Sequence, residues 1–440
     1  MNNSIPLTFP NGATSKIDKD ILMVFECDSL ENASPSFISN IFLVTTEETN
    51  VSWKALFTKE KGRLIQALKT APFADFQLHD HFEGMFKDFV LPFVSKLCES
   101  RIKGHSFWQM KSLVIRFFKF LDGILTNLIH VEKEMRLKDD PVFLPIKSKG
   151  ESISANLTLM AVVWSFGAIL STDMRKRFED TFVQFRRKFD LKITGNLSSG
   201  SSSLGKNSKV SLFEMYFDLE KLQWDLVSER LGTRMSESYQ SKNNNIVIPS
   251  LEIAQGLFLF DTLLQKKGYH IHFEGKSATQ KTTVLTNITH KQRQNYRSIW
   301  VPMTASVTIQ KSRKVFEQFY ETSENRFVMS PIDSKPPLFI IDDLHLGDHL
   351  NSNFAEFFRM WDNYGGYYHL ENGYFVNVEK LKILCSSNPK LTNASTNKSD
   401  RFTFYTNTIY FDDLDNDRFR IFIQNWLTNK SWNTSKLVNK

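Results

Sequence analysis

The sequence predicts two architectures in one chain: α/β plus all-α, with a parallel-sheet domain in the C-terminal half preceded by a helical domain. Three observations carry this. From about residue 58 to 190, apolar residues recur at the spacing of a buried helix face. From 270 onward, short apolar runs alternate with helical stretches, the pattern of parallel strands joined by crossover helices. Between the two lies a Gly/Ser-rich segment, 195–211, that reads as a flexible loop. The boundaries that follow are 1–57 (strand and helix pieces), 58–240 (helical, including that loop) and 241–440 (α/β).

In chain order, ILMVFECD (21–28) predicts a strand. SFISNIFLVTT (36–46) predicts a helix end and a second strand, with Pro35 breaking the path between them. GRLIQAL (62–68), FEGMFKDFVLPFVSKLCESRI (82–102), FWQMKSLVIRFFKFLDGILTNLI (107–129) and ANLTLMAVVWSFGAIL (155–170) predict helices. The last two are apolar almost all round, with charge expected only at their ends, so they are expected to be buried. SKNNNIVIPS (241–250) reads as the entry to the next domain, where Pro249 opens an amphipathic helix over 251–268. Strands are then expected in YHIHFEG (269–275), RSIWVPMTAS (297–306), PPLFIIDDLHLG (336–347), KLKILCSSNPK (380–390) and TNTIYFDDL (406–414).

The bulk numbers suit two or three domains with real cores: 440 residues, 41% hydrophobic, with 39 phenylalanines available for burial. A net charge of +7 is mild for this length. The basic stretch RKRFEDTFVQFRRKF (175–189) is interleaved with acids and reads as a solvated helix face, so no nucleic-acid partner is expected. No membrane association is expected either, since no apolar run is long enough to span a bilayer and MNNSIPLTFPNG is no signal peptide. Cys27, Cys98 and Cys385 stand far apart without pairing or metal spacing, which suits a reducing cytoplasm.

The chemistry concentrates after residue 270. HIHFEGKSATQKTTVL (270–285) enters from a strand, turns at Gly275 and continues through Lys281 and Thr282 into a helix. That is the phosphate-binding pattern G-x-x-x-x-G-K-[ST], except that Gln280 stands where the second glycine belongs. LFIIDDLHLG (338–347) is a buried strand ending in Asp342 and Asp343, acids placed for Mg²⁺ and for orienting water. KLKILCSSN (380–388) ends in Asn388, placed to reach a terminal phosphate.

Each piece alone has a plain structural reading. Lys281-Thr282 fits an ordinary helix start, Asp342-Asp343 fits a helix cap, and His345 with His349 fits an exposed face, since no third metal ligand is evident. Together, three strand tips delivering Lys-Thr, Asp-Asp and Asn in this order give the layout of an AAA+ P-loop NTPase. The predicted cofactor contacts are Gly275, Thr279, Gln280, Lys281, Thr282 and Thr283, with Thr282 and Asp342 for Mg²⁺ and Asp343 and Asn388 in catalytic positions.

Motifs along nearly the whole chain resemble those of dynein heavy chains. Phe25, Glu26, Asp28, Leu30, Ala33, Ser34, Pro35 and Ser39 are similar to the closing segment of the second AAA+ module, and Trp53 to the tryptophan opening the helical subdomain that follows. Trp164, Ser165, Gly167 and the run to Phe178 are similar to a later helix of that subdomain. IVIPSLEIAQGLFLFDTLLQKKGYHIHFEG (246–275) is similar to the linker and first strand of the third module. Arg359, Trp361, Asp362, Gly365, Gly366 and Tyr368 match a family segment, as do the Asp-Asp strand, SSNPK (386–390) and Arg401-Phe402.

The resemblance implies the end of a second AAA+ module, a helical AAA+ lid, and the large subdomain of a third. It also implies ATP or ADP with Mg²⁺. The implied partners are the other AAA+ modules of a dynein ring, intermediate and light chains through a full heavy chain, and a microtubule indirectly. The implied location is the cytoplasm and cytoskeleton, with an axonemal flavour from the Asp-Asp pair. Arg401 matches an arginine that faces a neighbouring module's site.

Three departures bear on activity. Gln280 replaces glycine, Asp343 replaces a longer glutamate, and Asn40 stands where the family carries an arginine finger. No first module, stalk, microtubule-binding tip or swinging linker is recognised, which implies a segment of a longer heavy chain or a degenerate paralogue. Two functions stay open: a regulatory, degenerate ATP-binding module with weak or no hydrolysis, and a non-catalytic AAA+-like scaffold or assembly protein.

Overall fold

A computed structural model describes residues 5–8, 12–17, 22, 24–27, 29–45, 52–69, 78–99, 110–137, 150–188, 211–230, 250–304, 308–322, 328–332, 335–348, 353–369, 373–388 and 402–413. Two compact units result, Met1–Val51 and Ser52–Lys440. The predicted loop at 195–210, most of 241–250 (Pro249 included), His349 and Arg401 lie outside the described residues.

The first unit is small. It holds a hairpin of β1 (Ile5–Thr8) and β2 (Thr14–Ile17) and a five-residue helix, α1 (Pro35–Ser39). Among the described residues of 21–28 and of the run after Asn40, none forms a strand. Leu22, Val24, Phe42 and Val44 are exposed, because an apolar run becomes a strand only when neighbours take its backbone hydrogen bonds. Pro35 opens α1. Its fixed φ suits the first helical position, and Ser34 caps the helix by accepting from the Phe37 N–H.

The second unit begins with helices. These are α2 (Trp53–Leu68), α3 (Leu78–Met85) running through a π turn (Phe86–Val90) into α4 (Leu91–Glu99), α5 (Met110–Leu137), α6 (Gly150–Val162) with its π turn (Val163–Gly167), and α7 (Thr172–Lys188). Phenylalanines fill their core: Phe57, Phe86 and Phe117 meet edge-on or stacked, as do Phe93, Phe178 and Phe182. As expected, the middle of α5 and all of α6 beyond its first turn are largely buried. The expectation that charge sits only at their ends fails, because Arg116, Lys119 and Asp122 lie mid-helix in α5. A hairpin of β3 (Met215–Asp218) and β4 (Gln223–Leu226), which the periodicity did not predict, covers α6 before the short α8 (Val227–Arg230).

α9 (Leu251–Leu259) and its π turn (Phe260–Gln265) lead into the sheet. This helix is buried on almost every side, Glu252 and Gln255 included, rather than amphipathic; Gln255 Nε2 donates to the Phe213 carbonyl. Five parallel strands follow: β5 (Ile271–Gly275), β6 (Arg297–Pro302), β9 (Pro337–Asp342), β12 (Lys382–Ser387) and β13 (Asn407–Phe411). All five were predicted. Their order across the sheet is β13-β5-β12-β9-β6.

On β9 the side chains alternate between two cores. Leu338 and Ile340 join the helical core, while Phe339 and Ile341 join a second core under α11 (Ile309–Glu317) and α13 (Asn353–Tyr364). A second, mixed sheet, β10 (Gly366–Tyr368)-β11 (Phe375–Val378)-β8 (Val328–Pro331)-β7 (Tyr320–Thr322), borders that core and was not predicted. It explains the Gly365-Gly366 pair. Gly365 takes φ +70°, and a Cβ on Gly366 would lie 1.9 Å from the Val376 carbonyl oxygen.

The mid-helix charges of α5 join the two architectures. Ser112 Oγ, Arg116 Nη2 and Lys119 Nζ donate to the carbonyls of Phe404, Thr403 and Tyr405, the turn before β13. At the other end of β13, Arg175 donates to the Tyr410 carbonyl and the Thr172 N–H to Asp412. The edge strand beside β5 is thus held by helices at both ends.

His272 lies mid-β5, sealed between Thr408 and Ser387. Burial, aided by the nearby Arg116 and Lys281 charges, pushes its pKa down from 6.5 to about 3. The unfolded chain therefore takes up a proton below pH 6.5 that the native state refuses. This group's contribution to stability should be complete above pH 6.5 and decline as the pH falls toward 3. Urea unfolding at a series of pH values should show that acid decline, with a shallower slope in His272→Gln; equal slopes would count against it.

Candidate phosphate-binding site

β5 ends at Gly275, and α10 (Lys281–Lys291) starts after a five-residue loop. The loop packs against β13 so tightly that a Cβ on Gly275 would sit 2.4 Å from the Phe411 carbonyl oxygen and 2.7 Å from Thr279 Oγ1. Thr279 is buried and donates to the Lys276 carbonyl at 2.9 Å. Ala278 and Gln280 both take left-handed backbone, φ +67° and +68°. Such turns present successive backbone N–H groups to one side, the usual cradle for an anion. Gln280 therefore keeps the glycine conformation without being glycine. Its Nε2 is buried without a hydrogen-bond partner among the described residues, and it gives α10 no side-chain cap.

Lys281 is buried within the loop. Its ammonium donates to the carbonyls of Gly275 (2.8 Å) and Lys276 (2.6 Å). Burial lowers its pKa, opposed by the charges of Asp343, Asp342 and Glu274. At the loop's outer edge Lys276 pairs with Asp413 beyond β13.

The acid strand meets the loop directly. Thr282 Oγ1 donates to Asp342 Oδ2 at 2.7 Å, and Ser386 Oγ donates to Asp342 Oδ1 at 2.5 Å. The Asp343 N–H donates to the same Ser386 Oγ at 3.0 Å, with Asp343 in left-handed backbone (φ +55°) and its carboxylate half exposed. Asn388 Nδ2 donates to Ser277 Oγ at 3.2 Å, so the tip of β12 touches the loop from the other side.

The structure thus gathers Gly275, Thr279, Gln280, Lys281, Thr282, Asp342, Asp343 and Asn388 at the C-terminal ends of three adjacent strands. Thr283 follows in the first turn of α10, half-buried. Asn40, in the other unit, donates its side-chain amide to the Ser36 carbonyl at the end of α1.

Two site residues were missed or misjudged. Ser386 ties both acids to β12; its signal was a polar residue inside an otherwise apolar strand. His345, expected on an exposed face, is buried at the start of α12 (His345–Asp348). The backbone N–H of Asn388 donates to its Nδ1 at 3.2 Å. That nitrogen is therefore an acceptor, and its 4.0 Å approach to Asp343 Oδ1 is not an ion pair. No group of three or more ligating side chains able to hold a metal ion occurs among the described residues, and no helix there is long and apolar enough to cross a membrane.

A parallel sheet in this order, with a phosphate-type loop at its switch point and a helical partner, defines a P-loop module of the AAA+ class with an AAA lid. The chain belongs to the dynein heavy-chain family: residues 235–414 match the P-loop containing dynein motor region, and residues 78–229 the dynein heavy chain AAA lid domain. Among its relatives, dynein heavy chain-like protein 2 of Plasmodium falciparum is 20% identical over 100% of this chain and 8% of its own length. Human dynein axonemal heavy chain 3 is 20% identical over 95% of this chain and 10% of its own. Human dynein axonemal heavy chain 6 is 21% identical over 87% of this chain and 9% of its own. The chain therefore spans about a tenth or less of the length of these relatives.

Left-handed backbone costs an L-residue on the order of 1 kcal/mol. Gln280→Gly should therefore raise the unfolding free energy by up to about that amount in urea titrations. No gain, or a loss, would mean that the glutamine side chain makes up the difference.

Proposed function

We propose that residues 241–440 form the nucleotide-binding subdomain of a third dynein AAA+ module, that 58–240 form the helical lid before it, and that 1–57 close the second module. The observation that carries this is the direct hydrogen bond from Thr282 to Asp342, which unites the loop hydroxyl and the strand carboxylate that hold Mg²⁺ in this class.

The cradle suits a nucleotide polyphosphate with Mg²⁺. Gly275 leaves no room for a side chain, the two left-handed residues shape the loop, and Lys281 supplies a cation inside it. Thr282 and Asp342 would hold the metal. The loop N–H groups, Gln280, Thr279 and Thr283 would hold phosphate together with Lys281. The bound ATP supplies the cleavable phosphoanhydride. Asn388 and Asp343 are placed to orient water, with the shorter Asp343 reaching less far than a glutamate. The module is read as regulatory, with weak or no hydrolysis. Arg401 would serve a neighbouring module's site.

As part of a heavy chain, the segment would act in a microtubule motor, in the cytoskeleton of the cytoplasm and, from its axonemal relatives, the cilium. Its partners would be the other ring modules directly, intermediate and light chains through the rest of the chain, and the microtubule indirectly.

Equilibrium binding of labelled ATP in the presence of Mg²⁺ tests this. Lys281→Ala should weaken binding at least tenfold, about 1.4 kcal/mol. Asp342→Asn should abolish the Mg²⁺ dependence. Gln280→Gly should tighten binding by opening the loop. If binding is absent and neither Lys281→Ala nor Gln280→Gly changes the result, the scaffold reading replaces this one.

A further inference from the structure

We propose that the cavity at the end of the parallel sheet opposite the phosphate loop is a second anion site, built for a small soluble polyphosphate. The cavity measures about 490 Å³, within the range of small-molecule sites. It lies at the N-terminal ends of three adjacent strands, where His270 precedes β5, Pro336 precedes β9 and Lys382 opens β12. Five residues of β5 separate it from Gly275, roughly 16 Å at about 3.3 Å per residue. It is therefore distinct from the site around Lys281.

Its lining carries four lysines, Lys266, Lys267, Lys380 and Lys382, against one carboxylate, Asp362. That carboxylate is already engaged. His270 Nδ1 accepts the Ile383 N–H, so its Nε2 is the nitrogen that carries the proton toward Asp362, 3.1 Å away. Lys267 pairs with Asp122 at 3.1 Å, and Lys382 donates to the Tyr296 hydroxyl and the Gln265 carbonyl. Lys266 and Lys380 are exposed and have no carboxylate partner among the described residues.

An independent observation points to a ligand. Trp361 lines the cavity and is only 2% exposed, yet its indole N–H finds no hydrogen-bond acceptor among the described residues. Buried donors are rarely left unmade. An acceptor oxygen brought by a ligand would satisfy it once the ring shifts toward the cavity, because the nitrogen itself is sealed from solvent. Ammonium groups act as compact point charges that suit phosphate, and several of them together favour a ligand with more than one phosphate group over a single carboxylate.

Isothermal titration calorimetry of inorganic tripolyphosphate into the 440-residue chain carrying Lys281→Ala tests the proposal with the phosphate loop disabled. Saturable binding is expected that survives Lys281→Ala. It should weaken at least tenfold when Lys266→Glu and Lys380→Glu are combined, and severalfold in Trp361→Phe, which keeps an aromatic ring but removes the N–H. Raised salt should weaken it as charge screening requires. Both lysines are exposed, so their variants should keep the parent's thermal unfolding; if Trp361→Phe fails to fold, the lysine pair decides alone. Binding lost with Lys281→Ala, binding unchanged by the double reversal, or no binding up to about 1 mM would each overturn the proposal.

Discussion

Strand β5 has parallel partners on both sides, β12 and β13, and the site depends on that confinement. A strand with two neighbours cannot shift, so the chain leaving it at Gly275 is aimed at one place. The Phe411 carbonyl of β13 closes that place on one side, and Asn388 at the tip of β12 reaches it from the other. β13 is an edge strand, the kind that otherwise frays or pairs elsewhere. Here the helices hold it, through Ser112, Arg116 and Lys119 before the strand and Thr172 and Arg175 at its end. The lid therefore helps to set where the phosphate loop sits.

Charge is managed across the same junction. Arg116 is fully buried, and burial lowers its pKa to about 10, opposed by the charge of Glu274 one residue before Gly275. The two charges attract without forming an ion pair, so helix α5 and the root of the loop are coupled electrostatically as well as by packing. Lys281 sits in a similar balance, with burial lowering its pKa and Asp343, Asp342 and Glu274 opposing.

Much of this was legible because periodicity and motif spacing are local. All five parallel strands, the buried middles of α5 and α6, and the Lys-Thr, Asp-Asp and Asn tips follow from apolar runs and their terminators. The failures share one cause, which is dependence on partners distant in sequence. ILMVFECD has the composition of a strand but no described neighbour to pair with. The charges of α5 were not expected in its buried middle, and their role emerges only when the turn at 403–405 is laid beside them. His345 read as exposed because its burial comes from β12.

By itself the sequence determined the element types, the order of the strand-tip residues and the presence of a non-glycine at the loop's tight position, since these are set by neighbours within a few residues. Only the tertiary structure decided that Gln280 takes left-handed backbone and that Ser386 joins both acids. It also showed Arg116 bracing β13 from another layer, and a lysine-lined cavity with a buried Trp361 N–H at the far end of the sheet. Those outcomes depend on backbone closure and on groups up to 292 residues apart, as from Ser112 to Phe404, and no local pattern encodes such distances.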